Sequence, residues 1–267
     1  VDDIAYFLAV ARFVASRLCV DPARIFCVGY SRGGRMCARL ASQLPNLFGA
    51  IAPVASLRFP SPNNSTRPVP VIAFHGVVDP INPYDGGGAS YWETSVPDAF
   101  DRWAMFNRCS GDMESFALNA NITRMVYSEC ANRATVELYR ISTMGHCWPG
   151  AAFKMTERIT GPVYPWFSAT SRIVSFFQSH PLDRASAVES AAILMSNVRL
   201  PQAGVAAMML TSSEGSDVLT PGVGSERGRG TAMTAVFWLL VVISIATVIG
   251  GVCHDPRARR RSYVVRT

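Results

Sequence analysis

The stretch of sequence that decides the fold class covers residues 25–34 and reads IFCVGYSRGG. Its first four residues form a short apolar run, which is typical of a buried strand. The pattern G-x-S-x-G follows with Ser31 at its centre, and a helical pattern begins after Gly33. In this strand–turn–helix order the pentapeptide predicts a nucleophile elbow, a sharp turn that exposes the serine. A tight turn without chemistry is the alternative interpretation.

Helical and strand patterns alternate on both sides of this stretch. Apolar residues repeat at helical spacing over 4–18 and again over 37–44. Further buried strands are predicted at 50–54, 69–74 and 135–141, and further helices at 96–106 and 167–177. Strands that alternate with helices predict a mainly parallel sheet, so we expect residues 1–181 to form one α/β domain.

A serine nucleophile needs a base, and the sequence offers four histidines. His146 follows the strand at 135–141 in a loop, and α/β sheets place their sites in loops at the carboxyl ends of strands. The other three fit packed, surface or distant positions: His75 at a strand end, His180 after the last helix, and His254 near the C-terminus. His146 is therefore the predicted base.

The base in turn needs an acid that orients its ring. In this fold class the chain order is serine, acid, histidine, and Asp79 follows the strand at 69–74 as that order requires. Asp85 is the competing candidate, although PYDG at 83–86 is typical of a turn. The backbone N–H of Arg32 is a predicted oxyanion donor. This chemistry requires no metal and no organic cofactor.

Cysteines and sequons both favour an oxidising compartment. The seven cysteines show no spacing suited to zinc, and six of them precede a long apolar run near the C-terminus. Sequons begin at Asn63, Asn64 and Asn121, which are the predicted glycosylation sites.

The apolar run at 232–252 is 21 residues long and carries no charge, so it predicts a transmembrane helix. Five arginines and one aspartate follow within 253–267, which places this basic tail in the cytosol and the rest of the chain outside the cell or in a lumen. Residues 182–231, rich in Ala, Ser, Gly and Thr, are predicted to form a stalk or linker. The tail carries +4 of the total charge of +6. The remaining +2 is ordinary for a folded protein and does not favour a nucleic acid partner.

Five stretches of sequence, in a fixed order along the chain, carry a specific family resemblance. They are residues 19–24 (CVDPAR), 50–55 (AIAPVA), 70–87 (which contain HG, DP and PYDGG), 95–109, and 137–150 (which end in GHCWPG). They resemble the secreted polyhydroxybutyrate depolymerase and feruloyl esterase family of α/β-hydrolases, which is related to acetylxylan esterases. The resemblance covers nearly all of residues 1–180. It implies that Ser31, Asp79 and His146 match the family's nucleophile, acid and base.

The resemblance also implies a disulfide between Cys109 and Cys130. We further hypothesise that Cys147 is bridged to Cys37 or Cys27 and so anchors the loop of the base. Tyr30 and Trp148 are candidate substrate-binding residues, although Trp148 fits the core equally well.

Two departures from the family pattern are evident. Arg32 stands after the serine, where the family has a small or an amide residue, and its side chain would either line the acyl pocket or point to solvent. The family domain also has several strands before the helix that begins at Val1, including the loop with the second oxyanion N–H. We therefore expect this chain alone to be inactive or poorly folded and the full-length protein to be active.

The predicted function is a serine carboxylic-ester hydrolase that acts on extracellular acyl or aryl esters, or on polyesters. One alternative is a catalytically silent, membrane-anchored ectodomain for adhesion or recognition, which the anchor favours and the intact Ser, Asp and His disfavour. A serine peptidase on the same fold is a further alternative.

Overall fold

A six-stranded sheet organises residues 2–151 and 157–196, which are the residues that the computed structural model describes. The strands are Cys27–Tyr30 (β1), Ile51–Val54 (β2), Val71–Gly76 (β3), Glu114–Asn119 (β4), Ile122–Tyr127 (β5) and Val136–Ile141 (β6). The helices are Asp3–Arg17 (α1), Arg32–Gln43 (α2), Val96–Phe106 (α3), Glu157–Thr160 (α4), Ala169–Ser179 (α5) and Arg184–Met195 (α6), and Ala131–Arg133 forms a 3₁₀ turn.

The strand order is β1-β2-β3-β6-β5-β4. The first three pairings, from β1 to β6, are parallel, whereas β5 runs antiparallel to both of its neighbours. β1, β2 and β3 are buried almost throughout, as strands covered on both faces must be, which explains their apolar runs. The prediction of a mainly parallel α/β fold is confirmed.

The β4–β5 hairpin is the part of the sheet that the sequence did not predict. All six residues of β4, ESFALN, are exposed, so this strand carries no buried apolar run. Its register to β5 also shifts between Ala117 and Asn119. An exposed strand at the end of a sheet is held mainly by its backbone ladder, and that ladder leaves little trace in the pattern of apolar residues.

Helices α1, α2, α3 and α6 pack on one face of the sheet and α5 packs on the other, and the core is divided accordingly. On one face, Phe7 of α1, Leu40 of α2 and Trp103 of α3 pack with Ile51 and Val71. On the other face, α5 contributes Phe176 and Phe177, which pack with Phe26, Phe74 and Tyr139. Full burial of one such side chain contributes about 2 kcal/mol, so these two clusters hold the strand ends, and with them the site, in place.

Helix α6 moves the domain boundary that composition predicted. Its Leu194 belongs to the core on the α1 side, and Arg12 Nε on α1 donates to the carbonyl of Ile193 at 2.9 Å. The stalk predicted over 182–231 is therefore wrong for its first part, because the packed domain extends at least to Met195. The prediction took the small residues of this segment as the sign of a linker, but small residues also occur where two helices pack closely.

The remaining C-terminal predictions lie outside the described residues. These are the rest of the stalk, the transmembrane helix at 232–252 and the basic tail at 253–267. Among the helices within 2–151 and 157–196, none combines the length and the hydropathy that a membrane span requires.

The structure joins Cys109 to Cys130 and Cys27 to Cys37, while Cys147 is free and buried. The hypothesis that Cys147 is bridged to Cys37 or Cys27 is therefore wrong. Both of those cysteines lie in the core on the α2 face of the sheet, whereas Cys147 lies in the core on the α5 face. A disulfide cannot reach across a sheet that is packed on both sides.

Candidate active site

Ser31 lies at the sharp turn between β1 and α2, with φ 55° and ψ −120°. Its N–H donates to the carbonyl of Val54 at 2.9 Å, which fixes the turn to the neighbouring strand. The turn requires glycine on both sides: a Cβ at Gly29 would lie 2.2 Å from the carbonyl carbon of Gly33, and one at Gly34 would lie 2.8 Å from Gly29 O. A non-glycine residue at such a positive φ is strained, and strain of this kind is concentrated at functional sites.

His146 connects Ser31 to Asp79 through its two ring nitrogens. Nε2 lies 2.8 Å from Ser31 Oγ, and Nδ1 lies 2.7 Å from Asp79 Oδ2. Because a carboxylate only accepts, Nδ1 carries the ring proton and Nε2 is free to accept from the serine hydroxyl. The structure thus brings together the three residues predicted as nucleophile, acid and base. Asp85, the competing acid, is exposed.

The backbone holds Asp79 in position. Its Oδ1 accepts hydrogen bonds from the N–H groups of Ile81 and Asn82, both at 2.8 Å, which leaves Oδ2 for His146. The side chain is buried, so little solvent competes for these bonds. The asparagine is itself anchored, because its Nδ2 donates to the carbonyl of Ala55 at 2.8 Å.

His75 is a second histidine in contact with the acid. Its Nε2 lies 2.9 Å from the carbonyl of Asn82 and 3.5 Å from Asp79 Oδ2. Both neighbours accept, so Nε2 carries the proton. The ring is fully buried and lies on Trp92, with 5.6 Å between the ring centroids. Burial lowers the pKa of His75 to about 4, so it is neutral at neutral pH. The sequence predicted a packed histidine but not this contact, which the spacing of four residues to Asp79 could have suggested.

Arg32 occupies the first position of α2. A backbone N–H at that position has no acceptor within the helix. It is therefore free to donate a hydrogen bond to the substrate oxyanion that forms at Ser31, as predicted. The side chain of Arg32 is exposed. An exposed guanidinium is compatible with both predicted alternatives, because the mouth of an active-site cleft is also open to solvent.

The two predicted substrate-binding aromatics have different surroundings. The Tyr30 hydroxyl donates to the carbonyl of His146 at 2.8 Å, and the ring centroids lie 5.1 Å apart. Burial raises the pKa of Tyr30 above its ordinary range, so the phenol remains a neutral donor. Trp148 is half-buried, and its Nε1 donates to Thr170 Oγ1 at 3.1 Å. Tyr30 thus helps to fix the loop of His146, and Trp148 belongs partly to the core and partly to the surface.

The predicted glycosylation sites differ in exposure. Asn64 is exposed, and Asn121 is partly exposed in the turn between β4 and β5. Asn63 is different, because its Nδ2 is buried and has no hydrogen-bond partner among the residues that the structure describes, while its Oδ1 accepts from the N–H of Ser65. Within the described residues, no group of three or more His, Cys, Asp or Glu is arranged to hold a metal ion.

Comparison with known proteins identifies esterases among the relatives. The model of the prolyl oligopeptidase family matches residues 1–58. The putative esterase NocK of Nocardia uniformis is 27% identical over 195 residues, and feruloyl esterase B of Piromyces equi is 28% identical over 156 residues. The probable feruloyl esterase C of Aspergillus niger is 33% identical over 86 residues. The chain is similar to feruloyl esterases. The resemblance that the motifs predicted is confirmed.

These relatives are matched only in part. The three alignments cover 65%, 54% and 32% of this chain, and 56%, 29% and 32% of the respective relatives. The chain therefore spans less than two thirds of their lengths. Among solved structures, an acetyl xylan esterase from Aspergillus awamori matches with a TM-score of 0.42 and 14% identity, over 66% of this chain and 67% of the other.

Proposed function

We propose that this protein is a serine carboxylic-ester hydrolase. The observation that carries the proposal is the continuous hydrogen-bonded series from Ser31 Oγ through His146 to Asp79, at 2.8 and 2.7 Å. The serine in this series stands on a strained turn and is partly exposed, so a substrate can reach it. The feruloyl esterases among the relatives support an ester as the substrate.

The geometry gives each residue a step. Ser31 Oγ attacks the ester carbonyl carbon while its proton passes to His146 Nε2, and Asp79 stabilises the imidazolium that forms. The oxyanion that forms on the carbonyl oxygen accepts a hydrogen bond from the backbone N–H of Arg32. The bond between the carbonyl carbon and the alcohol oxygen then breaks, and His146 returns the proton to that oxygen. Water attacks the acyl-serine by the same route and releases the acid and free Ser31.

The substrate class follows from the relatives rather than from the triad. We propose an acyl or aryl ester, of the feruloyl esterase type or of the polyhydroxybutyrate depolymerase type. Tyr30 and Trp148 are proposed to contact the substrate. The ring of Tyr30 lies 5.1 Å from the ring of His146, Trp148 follows His146 by two residues in the sequence, and neither side chain is fully buried.

The test is active-site labelling and hydrolysis with the full-length protein. A fluorophosphonate probe should label Ser31, and p-nitrophenyl acetate should be hydrolysed. Ser31→Ala should abolish labelling and lower kcat/KM by at least about 10⁴-fold. Ser175→Ala, which removes an exposed hydroxyl on α5, is the matched control and should leave both unchanged. An unlabelled Ser31 in folded protein would favour the silent ectodomain, which the similarity to esterases does not favour.

A peptidase is the second candidate, because the prolyl oligopeptidase model matches residues 1–58. That match includes Ser31 but neither Asp79 nor His146. Acyl transfer from an amide uses the same residues, so the triad alone does not exclude it. Comparing p-nitrophenyl acetate with peptidyl p-nitroanilides decides between the two: faster turnover of the anilides would replace the esterase proposal.

We also propose that the hydrolase domain is anchored to a membrane by residues 232–252, with the domain extracellular or lumenal and the tail cytosolic. The uncharged run and the arginines that follow it support this topology. Carbonate extraction of membranes from expressing cells tests it. Release of the protein into the supernatant would contradict the anchor.

A further inference from the structure

Three arginines lie close enough to interact electrostatically near the N-terminal end of α2, which begins next to Ser31. Arg32 and Arg35 belong to the first turn of α2, and Arg58 follows β2. The N–H of Arg35 bonds to the carbonyl of Ser31 at 3.4 Å. Because Ser31 is the N-cap of α2, it and Arg35 stand one turn apart at the same end of the helix. The N-terminus of α2 carries the positive end of the helix dipole, which adds to the positive potential of these arginines.

Arg32 and Arg35 have no carboxylate partner in the part of the chain that the structure describes. The guanidinium of Arg35 lies over the ring of Tyr91, 4.4 Å from its centroid, and its Nη1 is buried without a hydrogen-bond acceptor. Burial lowers the pKa of Arg35, and the charges of Arg32 and Arg58 lower it further, whereas Tyr91 opposes them. The site therefore concentrates positive charge that nothing in the described protein neutralises.

Arg58 is already engaged. Its Nη1 donates to the carbonyl of Thr94 at 3.1 Å, and the charges of Glu93 and Asp98 act on it. The unneutralised charge thus belongs mainly to Arg32, which is exposed, and to Arg35, which is partly exposed. A guanidinium group suits a carboxylate, because its planar fork matches the two carboxylate oxygens.

Resting on the proposed esterase function, we propose that Arg32 and Arg35 bind a carboxylate on the substrate, so that the enzyme prefers esters with a negative charge near the scissile bond. Two kinds of ester share this chemistry. In one, the acyl group carries the carboxylate, as in a half-ester of a dicarboxylic acid. In the other, the alcohol carries it, as in an acylated hydroxy acid or uronate.

The experiment compares kcat/KM for matched anionic and neutral esters with the full-length protein. The acyl pair is the mono-p-nitrophenyl ester of glutaric acid and p-nitrophenyl pentanoate. The alcohol pair is p-acetoxybenzoate and p-acetoxybenzamide. We expect Arg35→Gln to lower the anionic-to-neutral ratio about tenfold in at least one pair, as the loss of one charge-assisted hydrogen bond implies. The pair that responds identifies the side of the ester that carries the charge.

Two variants control for charge and for folding. Arg39→Gln removes an exposed arginine one turn further along α2 and should leave both ratios at the wild-type value. Arg35→Lys keeps the charge and should retain most of the preference. Raising the salt concentration should weaken the preference in the wild type, because the site is partly open to solvent.

The outcomes separate the two proposals. Normal hydrolysis of the neutral esters with equal ratios in the wild type and Arg35→Gln would overturn the carboxylate site and leave the esterase standing. Absence of hydrolysis in every pair, together with an unlabelled Ser31, would overturn the esterase and this inference with it.

Discussion

Asp79 is the residue on which the site converges. Two backbone N–H groups bond its Oδ1, and His146 and His75 approach its Oδ2 from different elements. The second histidine is useful only while it is neutral, since a second cation at the acid would oppose the imidazolium that forms on His146. Full burial ensures this neutrality by lowering the pKa of His75.

That burial predicts a pH dependence of stability. The pKa of His75 falls from its ordinary 6.5 to about 4 in the fold, so between these values the unfolded chain binds the extra proton. Stability from this group is complete above pH 6.5 and is lost as the pH falls toward 4, by about 3 kcal/mol. Urea unfolding at several pH values should therefore show a flatter acid slope for His75→Gln than for the wild type. Parallel curves would show that the ring is not buried as described.

At the scale of elements, the β1–turn–α2 unit was predictable because its constraints are local. Gly29 is required by contacts with Gly33 and Gly34, which lie within the same short stretch. Chain order then located Asp79 and His146. Disulfide pairing was less accessible, because it depends on which face of the sheet each cysteine occupies. Cys27 and Cys147 lie on opposite faces, and nothing in their spacing reveals this.

The elbow predicts a sharp response to one methyl group. A Cβ at Gly34 would lie 2.0 Å from Ser56 Oγ and 2.8 Å from the carbonyl of Gly29, so Gly34→Ala must displace the turn. Fluorophosphonate labelling of Ser31 should fall at least about 100-fold, since a shift of about 1 Å is enough for such a loss. Gly87→Ala is the control: no atom of the described part of the chain lies within 4 Å of the added methyl, and only left-handed strain of about 1 kcal/mol is expected. Equal labelling of both variants would contradict the required close approach.

Helix α6 supplies the second element-scale prediction. Leu194 packs in the core beside α1, so Leu194→Ala should lower the free energy of unfolding by about 2–3 kcal/mol in urea titration. Met195→Ala, at a neighbouring position that is 80% exposed, should change it by less than about 0.5 kcal/mol. The same loss at both positions would contradict a docked α6 and restore the stalk that composition predicted from residue 182.

At the scale of the whole molecule, the parallel part of the sheet and the helices α1, α2, α3 and α5 were predictable from alternating patterns, whereas the β4–β5 hairpin and the docking of α6 were not. Tertiary packing fixes the positions of exposed strands and of helices that pack through small residues. Such elements leave little apolar pattern in the sequence, so they could not be predicted from it. The proposed location of this domain outside the cytosol is a separate property, and the exposed sequons offer a way to measure it.

If the domain faces a lumen or the exterior, Asn64 should carry an N-glycan, because its side chain is exposed and its sequon is intact. Asn63 should not, since its Nδ2 is buried and a sugar there would displace the surrounding chain. Expressed in a eukaryotic host, the protein should lose one glycan in Asn64→Gln, seen as a mobility shift that glycosidase treatment of the wild type reproduces. Asn63→Gln should migrate like the wild type, because the sequon at Asn64 does not include residue 63. A domain located in the cytosol would migrate identically with and without glycosidase, and the proposed topology would then be wrong.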